Sequence, residues 1–293
     1  MCDQAEKLRQ MTLKSSIPKS PIIKQTPKSR VITVTSGKGG VGKTNFTVNL
    51  ALALAALEQK VLVIDADLGM ANVEVILGCS APYNILNLLE DGLNISDVVT
   101  EGPRGIKFMA GGSGIYQLAN LSDANLKHII AQISLFDNWA DFILIDTGAG
   151  LSRNVLNFVM AADEVIIITT PEPTAITDAY AMMKAYAGQS GQAPLRLVVN
   201  RILDRDEGQL VVDKLMRVSQ RFLDLSINSL GYVYEDRKMV KAVKNQIPLL
   251  VSFPDAISSR CIESIAQRML YGENIQQPRG MRGFFHKFLE YMY

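Results

Sequence analysis

Glycines, two lysines and a threonine between residues 36 and 44 have the types and spacing that bind a triphosphate. The segment contains the G-x-x-x-x-G-K-T pattern of a phosphate-binding loop and reads Ser36-Gly37-Lys38-Gly39-Gly40-Val41-Gly42-Lys43-Thr44. Its glycines let the backbone bend so that N–H groups point inward, where the start of a helix adds partial positive charge. In this pattern Lys43 meets the β- and γ-phosphates, and the Thr44 hydroxyl ligates Mg²⁺.

The elements around the loop separate this interpretation from a glycine-rich turn that merely joins a strand to a helix. An apolar, β-branched run at 31–34 precedes the loop, and an apolar helical stretch from about Thr44 to Leu57 follows it. A phosphate-binding loop requires this order of strand, loop and helix. The sequence therefore predicts a nucleoside triphosphate and Mg²⁺, held by residues 37–44 and the adjoining Asn45.

A second lysine, Lys38, lies inside the loop as the first residue of K-G-G-V-G-K-T. This pattern resembles the signature of the deviant Walker A ATPases, the family of MinD, ParA, the flagellar-number ATPase FlhG and nitrogenase iron protein. In that family two subunits close face to face over two ATP molecules, and each signature lysine reaches the other subunit's phosphates. The resemblance implies a catalytic Lys38 acting in trans in an ATP-dependent homodimer, as an arginine finger does. The alternative is a solvated surface lysine.

Two acids follow the next apolar strand. The run 61–64 ends in Asp65-Ala66-Asp67, and acids closing this strand stand at the same carboxyl edge of the sheet as the phosphate-binding loop. Acids at a strand end are otherwise often turn or helix-cap residues. The segment looks like the family's switch I, which implies that Asp67 orients the attacking water and that Asp65 supports the switch near Lys43 and Mg²⁺.

A further strand and glycine-rich turn resemble the family's Walker B strand and switch II. The apolar run 142–145 leads into D-T-G-A-G, which begins at Asp146. The resemblance implies that Asp146 holds Mg²⁺ through water, in a metal site shared with Thr44 and Asp65. Many relatives carry proline where Gly148 stands, and the D-x-G-A-G form resembles FlhG proteins more than MinD or ParA proper.

Asn200 and Arg201 follow a later apolar strand, residues 195–199, and match the adenine-reading N-R pair of this family. Asparagine offers the donor and the acceptor that the adenine edge demands, and arginine can stack on the base. The dipeptide alone does not indicate a base-binding site. Its place at a strand end, after the other segments in this order, predicts a base-binding role.

Apolar runs that alternate with helical patterns predict one ATPase domain over residues 31–273. The chain has 293 residues, 48% hydrophobic and 20% charged, so it can bury a large core. The strand candidates are almost continuously apolar, which predicts an α/β fold with a doubly wound, mostly parallel sheet and helices on both faces. The predicted strands are 31–36, 61–65, 107–110, 142–146, 164–169, 195–200 and 229–234. The predicted helices are roughly 44–59, 122–136, 152–161, 174–188, 207–223, 236–245 and 255–270.

Cysteine usage and hydropathy exclude several classes of protein. Cys2, Cys79 and Cys261 are scattered, so neither a disulfide framework nor a cysteine metal site is expected, and the lack of C-x-x-C argues against iron–sulfur branches of the family. No apolar run approaches the ~18 residues of a membrane span, and the N-terminus lacks a signal-peptide core. These features predict a cytoplasmic protein.

The net charge of +1 conceals a separation of charge along the chain. Residues 1–30 carry a net +5 and residues 279–293 a net +2, which leaves the body between them at −6. An acidic body is a poor surface for coating DNA. No direct nucleic-acid partner is therefore expected, which weakens a ParA-like partition role.

The N-terminal arm, residues 1–30, has two parts. Residues 3–11 can make about two helical turns, and the proline-containing residues 15–30 form an extended linker of up to ~50 Å. The string D-Q-A-x-x-L-R resembles the activator motif of FlhG proteins, which implies binding to the signal-recognition-type GTPase FlhF and stimulation of its GTP hydrolysis. The alternative is a disordered leader. The residues assigned to this contact are Asp3, Gln4, Leu8 and Arg9.

An amphipathic segment, residues 274–293, ends the chain. Its apolar side chains fall on an arc of ~140° opposite basic residues, as expected for a helix. Aromatics on one face and a flexible tether fit an interfacial membrane helix, and MinD and FlhG relatives place a membrane-targeting helix here. The alternative is a helix docked on its own domain. The residues predicted to contact lipid are Phe284, Phe285, Phe288 and Leu289.

Taken together, the chain resembles an ATPase of the FlhG type. The resemblance implies a slow, dimer-dependent ATPase on the inner face of the cell membrane that regulates the placement and number of flagella, with FlhF, and a rotor-ring protein or transcription regulator, as partners. The alternatives are a MinD- or ParA-like site-selection or partition ATPase and a nucleotide-gated scaffold with negligible hydrolysis. One departure is Asn45, where many relatives have Thr or Ser, and it leaves the Mg²⁺ ligand intact.

Overall fold

One eight-stranded sheet organises the part of the chain that the structure, a computed structural model, describes, namely residues 28–67, 72–90, 92–272 and 278–292. The strands are β1 (Arg30–Ser36), β2 (Val61–Ala66), β3 (Thr100–Glu101), β4 (Lys107–Ala110), β5 (Phe142–Ala149), β6 (Glu164–Thr169), β7 (Leu195–Ile202) and β8 (Ile227–Tyr234). Their spatial order is β3-β4-β2-β5-β1-β6-β7-β8. Neighbours run parallel except β3 and β4, which are antiparallel.

Helices connect the strands and lie on both faces of the sheet. The α-helices are α1 (Lys43–Ala56), α2 (Asn72–Leu77), α3 (Ile95–Val98), α4 (Gly112–Gln117), α5 (Asp123–Ile133), α6 (Arg153–Ala161), α7 (Pro173–Gly188), α8 (Arg205–Leu223), α9 (Arg237–Lys244), α10 (Leu249–Ser252), α11 (Ile257–Tyr271) and α12 (Gly280–Met292). Short 3-10 helices cover Ile85–Leu89, Pro103–Gly105, Leu118–Asn120 and Ser134–Asn138.

The central strands are buried because helices cover them on both sides. Every residue of β2 and β6 is buried, and β5 is buried as far as Thr147. On one face α1 and α11 share a core that contains Phe46 and Ile262. On the other face α5 and α6 pack around Ile129 and Phe158. Parallel strands with apolar cover on both faces confirm the predicted doubly wound α/β fold.

The predicted strands and long helices are present, with ends that differ by no more than about three residues. Sequence reasoning missed five short elements, which are β3, α2, α3, α4 and α10. Each has two to six residues. Such a segment is too short to show a hydrophobic period, and tertiary contacts rather than local pattern determine its conformation.

The C-terminal segment differs from its preferred prediction. α12 docks on its own domain, where it packs against α5, α6 and the 3-10 helix Ser134–Asn138. The ring centroids of Phe288 and Phe158 lie 4.6 Å apart. The reason is that the apolar arc of α12 meets an apolar surface of the same chain, so docking buries the aromatic rings without a membrane.

Candidate nucleotide-binding site

The phosphate-binding loop joins β1 to α1 at the carboxyl edge of the sheet. Gly42 has a left-handed φ of 87°, and a Cβ added to it would lie 2.5 Å from Nδ2 of Asn200. A Cβ on Gly37 would lie 2.2 Å from the carbonyl oxygen of Asp178 in α7. Both positions therefore require glycine, because the loop backbone approaches two other elements too closely for a side chain.

Asp146 lies in β5, the predicted Walker B strand, and contacts residues of the phosphate-binding loop. The side chain is fully buried. Its Oδ1 lies 3.2 Å from Nζ of Lys43 and accepts a hydrogen bond from Oγ1 of Thr47 at 3.0 Å. Its Oδ2 accepts a hydrogen bond from Oγ1 of Thr44 at 2.6 Å. These contacts compensate the desolvation of a buried carboxylate, and they bring together Lys43, Thr44 and Asp146 as the sequence predicts.

The oxygen atoms around Asp146 fit Mg²⁺, which prefers carboxylate, hydroxyl, phosphate and water oxygens. Thr44 and Asp146 would hold the ion, directly or through water. Asp65 is the register partner of Asp146 across the β2–β5 pair. Within the described residues, no group of three or more His, Cys, Asp and Glu side chains is arranged to hold a metal ion. The donor set therefore fits an ion shared with the nucleotide phosphates better than a protein-only metal site.

Asp65 has a bracing role within switch I. Its Oδ1 accepts the N–H of Asp67 at 3.1 Å, and its Oδ2 accepts the N–H of Val73 at 3.0 Å. Burial raises the pKa of Asp65 from 3.8 to about 6, although both N–H groups oppose this rise. These two hydrogen bonds hold the segment after β2, while the role of Asp65 in supporting the switch and its contact with Mg²⁺ stay predictions.

Asp67 belongs to switch I and lies next to switch II. Its Oδ2 accepts a hydrogen bond from Nδ2 of Asn72 at 3.3 Å. A Cβ on Gly148 would lie 3.4 Å from Oδ1 of Asp67, which is ordinary van der Waals contact, so switch II lies directly beside this carboxylate. Asp67 also lines the cavity that contains Lys38 and Lys43. This position beside the phosphate loop suits a residue that orients a water molecule.

Two adjoining cavities extend from the loop. The first, of about 350 Å³, is lined by the loop, Asp67 and α2. The second, of about 330 Å³, lies between the ends of β7 and β8 and helix α9. Gly42, Asn45 and Val243 line both cavities. A nucleotide with its phosphates in the first cavity would place its base in the second.

The second cavity contains Asn200 and Arg201, as predicted for a base site. Asn200 also holds the phosphate loop, because its Nδ2 donates to the carbonyl oxygen of Val41 at 2.7 Å. Its Oδ1 accepts the N–H of Arg201 at 3.0 Å. Arg201 has a left-handed φ of 61° and pairs with Glu235 at 3.4 Å. The adenine-reading role of this pair stays a prediction.

Lys38 pairs with groups of its own chain in this structure. Its Nζ donates to Oε2 of Glu172 and to Oγ1 of Thr174, both at 2.8 Å. The hydrogen bond from Lys38 holds the pKa of Glu172 below its usual value. Both side chains of the ion pair are open to solvent, with 37% of Lys38 and 53% of Glu172 exposed. Lys38 is therefore held beside the first cavity by contacts that solvent can replace.

Sequence reasoning missed four residues whose side chains hydrogen-bond to the side chains of Lys38, Asp67 or Asp146. They are Thr47, Asn72, Glu172 and Thr174. A signal was available for Glu172, because an acid followed by proline at the end of β6 marks the start of a helix at the same edge of the sheet. Asn72 and Thr47 carry no such signal, since only the folded chain brings them to Asp67 and Asp146.

Comparison with known proteins agrees with this geometry. Residues 28–270 match the ParA family, described as the NUBPL iron-transfer P-loop NTPase. The chain belongs to the ParA family of P-loop ATPases. ParA-family proteins are ATPases, so this member is an enzyme that acts on ATP.

Within the ParA family the chain is similar to an antiactivator and to a flagellum site-determining protein. It is 38% identical over 256 residues to the antiactivator FleN of Pseudomonas aeruginosa, and the match covers 87% of this chain and 91% of FleN. It is 33% identical over 270 residues to the flagellum site-determining protein YlxH of Helicobacter pylori, covering 90% of this chain and 91% of YlxH. The predicted resemblance to FlhG-type proteins of the MinD and ParA family is confirmed.

Solved structures of MinD share the ParA-family fold. The MinC:MinD cell division complex of Aquifex aeolicus matches with a TM-score of 0.63 at 29% identity, over 86% of this chain and 99% of that chain. MinD of Pyrococcus horikoshii, solved with Mg-ADP, matches with a TM-score of 0.64 at 24% identity, over 83% of this chain and 98% of that chain.

The structure describes the predicted lipid-binding residues near the C-terminus but not the predicted partner-binding residues near the N-terminus. Asp3, Gln4, Leu8 and Arg9 lie outside the described residues. The rings of Phe284, Phe285 and Phe288 are buried and Leu289 is half-buried, so this face is not open to lipid in this conformation and its contact with lipid stays a prediction. Across the described ranges, no helix combines the length and apolar character needed to cross a membrane.

Proposed function

We propose that this ParA-family ATPase is an ATP-dependent dimerising switch that regulates the placement and number of flagella. The position of Lys38 is the observation that carries the proposal. Its side chain extends from the phosphate loop, lines the first cavity and is accessible to a second subunit. The similarity to proteins named antiactivator and flagellum site-determining protein supports the flagellar role.

In this proposal ATP and Mg²⁺ bind first within one subunit. The loop N–H groups and Lys43 bind the phosphates, and Thr44 and Asp146 hold the ion. Lys38 then exchanges the carboxylate of Glu172 for the phosphates of the partner subunit. A triphosphate carries more negative charge than one exposed carboxylate, so this exchange favours the dimer with ATP more than with ADP.

Hydrolysis then depends on Asp67. Its carboxylate orients a water molecule toward the γ-phosphate, while Asn72 keeps the side chain in place. When bound, Mg²⁺ neutralises charge on the phosphates. Because a trans lysine supplies the remaining positive charge, hydrolysis is expected only in the dimer, which would return the subunits to the monomeric state.

The switch predicts opposite effects for Lys38→Ala and Asp67→Ala. Lys38→Ala should bind ATP and stay monomeric, because it lacks the contact to the partner's phosphates. Asp67→Ala should accumulate as an ATP-bound dimer, because it cannot position the water. Size-exclusion chromatography with light scattering, in ATP and in ADP, measures both outcomes.

Lys184→Ala is the matched control, since Lys184 is exposed on α7 and lines neither cavity. It should dimerise like the wild type. If Lys38→Ala and Asp67→Ala have the same oligomeric state in ATP, the face-to-face mechanism is excluded. Wild-type ATP turnover no faster than that of Asp67→Ala, with or without vesicles, would favour the nucleotide-gated scaffold.

The N-terminal arm is proposed to act on FlhF, because its D-Q-A-x-x-L-R string precedes a matching ATPase domain. Gln4 would approach the active site of the GTPase, with Leu8 as an apolar anchor. A rotor-ring protein or a transcription regulator is the proposed further partner. In this scheme the ATPase domain controls where the arm is presented to FlhF.

Membrane association is proposed to require release of α12 from its docked position. The docked helix hides Phe284, Phe285 and Phe288, which are the groups that would insert into lipid. A single short helix binds membranes weakly, whereas two helices in one dimer can raise the apparent affinity by ~10²–10⁴. The ATP-bound dimer would therefore be peripheral on the inner face of the cell membrane, and the ADP form cytoplasmic.

A further inference from the structure

A polar cavity of about 440 Å³ opens at the edge of the sheet opposite the nucleotide site. It lies at the amino ends of β1, β6, β7 and β8, closed by α8 and α11, about 20 Å from the phosphate loop at ~3.3 Å per strand residue. Three arginines line it, Arg30, Arg196 and Arg268, together with Glu164. Its volume is within the range of small-molecule sites.

The charges in this cavity do not cancel. Arg30 Nη2 lies 2.7 Å from Oε2 of Glu164, and Arg196 Nε lies 3.2 Å from Oε1 of the same buried carboxylate. Glu164 thus neutralises only one of two guanidinium groups. Arg268 donates to the carbonyl oxygen of Leu230 at 2.7 Å, and within the described chain no carboxylate lies within 4.0 Å of it. The lining therefore has a net charge of +2, whereas residues 30–278 together have a net charge of −5.

The backbone of β8 is shaped to admit Arg268. Leu197 pairs with Ser229 and Val198 pairs with Gly231, so Leu230 is an extra residue in a β-bulge. Gly231 has a φ of 140°, and a Cβ there would lie 2.9 Å from Nη1 of Arg268. Bulges often re-aim groups at binding sites. Here the bulge turns a carbonyl oxygen to Arg268 and leaves space for its guanidinium.

An ion-pair network that only closes the sheet edge would account for part of this arrangement. It explains Arg30, Glu164 and Arg196, because a buried carboxylate needs partners. It does not explain Arg268, which adds a second uncompensated positive charge, or the open volume between these groups. Uncompensated guanidinium groups around a cavity are the arrangement that binds oxyanions.

We propose that this cavity binds a small phosphate-bearing anion. Guanidinium groups match the geometry of phosphate oxygens in paired hydrogen bonds, and the remaining lining supplies polar groups from Asn228 and Ser229. Tyr232 closes the cavity on the side of α8, where its hydroxyl donates to Oε1 of Gln209 at 2.7 Å. The site is separate from the nucleotide cavities and does not depend on the proposed flagellar function.

The test uses the full chain and inorganic pyrophosphate as the probe, without Mg²⁺ and at constant ionic strength. Isothermal titration in a Lys43→Ala background, which weakens binding at the phosphate loop, should show that Arg268→Ala lowers pyrophosphate affinity roughly tenfold or more, as expected for the loss of a charged hydrogen bond. Arg260→Ala is the control, because it removes the same charge from the same helix at a site whose nearest ion pair is a 3.8 Å contact with Asp255. Its affinity should equal that of the wild type.

The phosphate loop can also bind pyrophosphate, so Lys43→Ala is measured in parallel. Binding that survives Lys43→Ala and is lost when Arg268→Ala is added to Lys43→Ala assigns the anion to this cavity. Glu164→Gln should tighten binding in the Lys43→Ala background, because it removes the only negative charge of the lining. The proposal is overturned if Lys43→Ala abolishes all binding, if Arg268→Ala binds like Arg260→Ala in the Lys43→Ala background, or if the wild type does not bind at millimolar concentration.

Discussion

Asp65 shows how a single buried carboxyl group can support a switch at a cost to stability. Both of its oxygens accept backbone N–H groups, which fixes the start of switch I and the first turn of α2. Its pKa is nevertheless raised from 3.8 to about 6, because burial outweighs these hydrogen bonds. A residue that weakens the fold when ionised is consistent with a position selected for function rather than for stability.

The pKa of Asp65 predicts a specific pH dependence of stability. Between about pH 4 and pH 6 the folded protein binds more protons at Asp65 than the unfolded chain, so the free energy of unfolding falls as pH rises through this window. Asp65→Asn removes that titration. Relative to wild type, the variant should therefore gain roughly 2 kcal/mol between pH 4 and pH 7.5. Urea unfolding of ligand-free protein at both pH values measures this gain, and a difference that does not change with pH would contradict it.

Gly42 supports a second prediction at the scale of one residue. Gly42→Ala would place a Cβ 2.5 Å from Nδ2 of Asn200 at a φ of 87°, which displaces the side chain that holds Val41. The left-handed conformation alone costs about 1–2 kcal/mol for alanine. Affinity for ATP should fall at least about tenfold, measured by titration calorimetry.

The control for this substitution is Gly188→Ala. Gly188 ends α7, and no atom lies within 4 Å of the position that its Cβ would take. Alanine is the better helix former, so this variant should keep ATP affinity and have equal or higher stability. A Gly42→Ala protein that binds ATP like Gly188→Ala would show that the loop tolerates the side chain.

At the scale of elements, α12 is the helix whose position is proposed to decide membrane binding. Asp137 holds its first turn, because Oδ1 accepts the N–H of Met281 at 2.6 Å and Oδ2 accepts the N–H of Arg282 at 3.3 Å. Arg279, the residue before α12, pairs with Asp163, and Nε of Arg279 lies 2.9 Å from Oδ1 of Asp163. The docked state therefore rests on polar contacts at one end of the helix and on buried aromatic rings along it.

Asp137→Ala should release α12 without changing its apolar face. Loss of a helix-capping carboxylate costs about 1–2 kcal/mol, equivalent to a factor of roughly 5–30 in the docking equilibrium. Co-sedimentation with anionic vesicles in ADP should rise by a factor within this range. Adding Phe285→Glu should return binding to background, because a charge in the apolar face opposes insertion.

The control is Asp141→Ala. Asp141 also accepts a backbone N–H, that of Lys60 at 2.8 Å, and among the described residues its side chain makes no hydrogen bond or ion pair to α12. It removes the same negative charge as Asp137→Ala and should leave vesicle binding unchanged. Equal binding by the two variants would mean that α12 is a structural helix of the domain and not the membrane element.

At the scale of the whole molecule, the arm and the ATPase domain should be separable. Ser29 anchors the start of the ATPase domain, because its buried hydroxyl donates to the carbonyl oxygen of Ala140 at 2.7 Å. A chain of residues 28–293 should therefore fold and bind ATP like the full protein. It should fail to raise FlhF GTP hydrolysis, whereas a peptide of residues 1–20 should raise it alone.

Gln4→Ala in the same peptide is the control for the proposed contact. It should lose most of the stimulation, because Gln4 is the residue proposed to approach the GTPase active site. GTP turnover by FlhF at saturating peptide measures both effects. An inert wild-type peptide, or full stimulation by residues 28–293, would place the activating surface elsewhere.

The sequence by itself determined the parts of this protein that depend on local chemistry. A phosphate loop needs glycines and a lysine at fixed spacing, so residues 37–44 were recognisable without any tertiary contact. Long, nearly continuous apolar strands predicted a doubly wound sheet, because only strands covered on both faces have that composition. Asp65, Asp67 and Asp146 followed, since the carboxyl ends of parallel strands meet at one edge.

Tertiary structure decided everything that depends on which surfaces meet. The pattern of α12 fits a membrane helix and a docked helix equally, because an amphipathic period reports an apolar face and not what covers it. The partners of Lys38, Glu172 and Thr174, lie more than 130 positions along the chain, and only the fold brings them within hydrogen-bond distance. The same is true of the arginine cavity, whose residues come from six elements and carry no shared pattern in sequence.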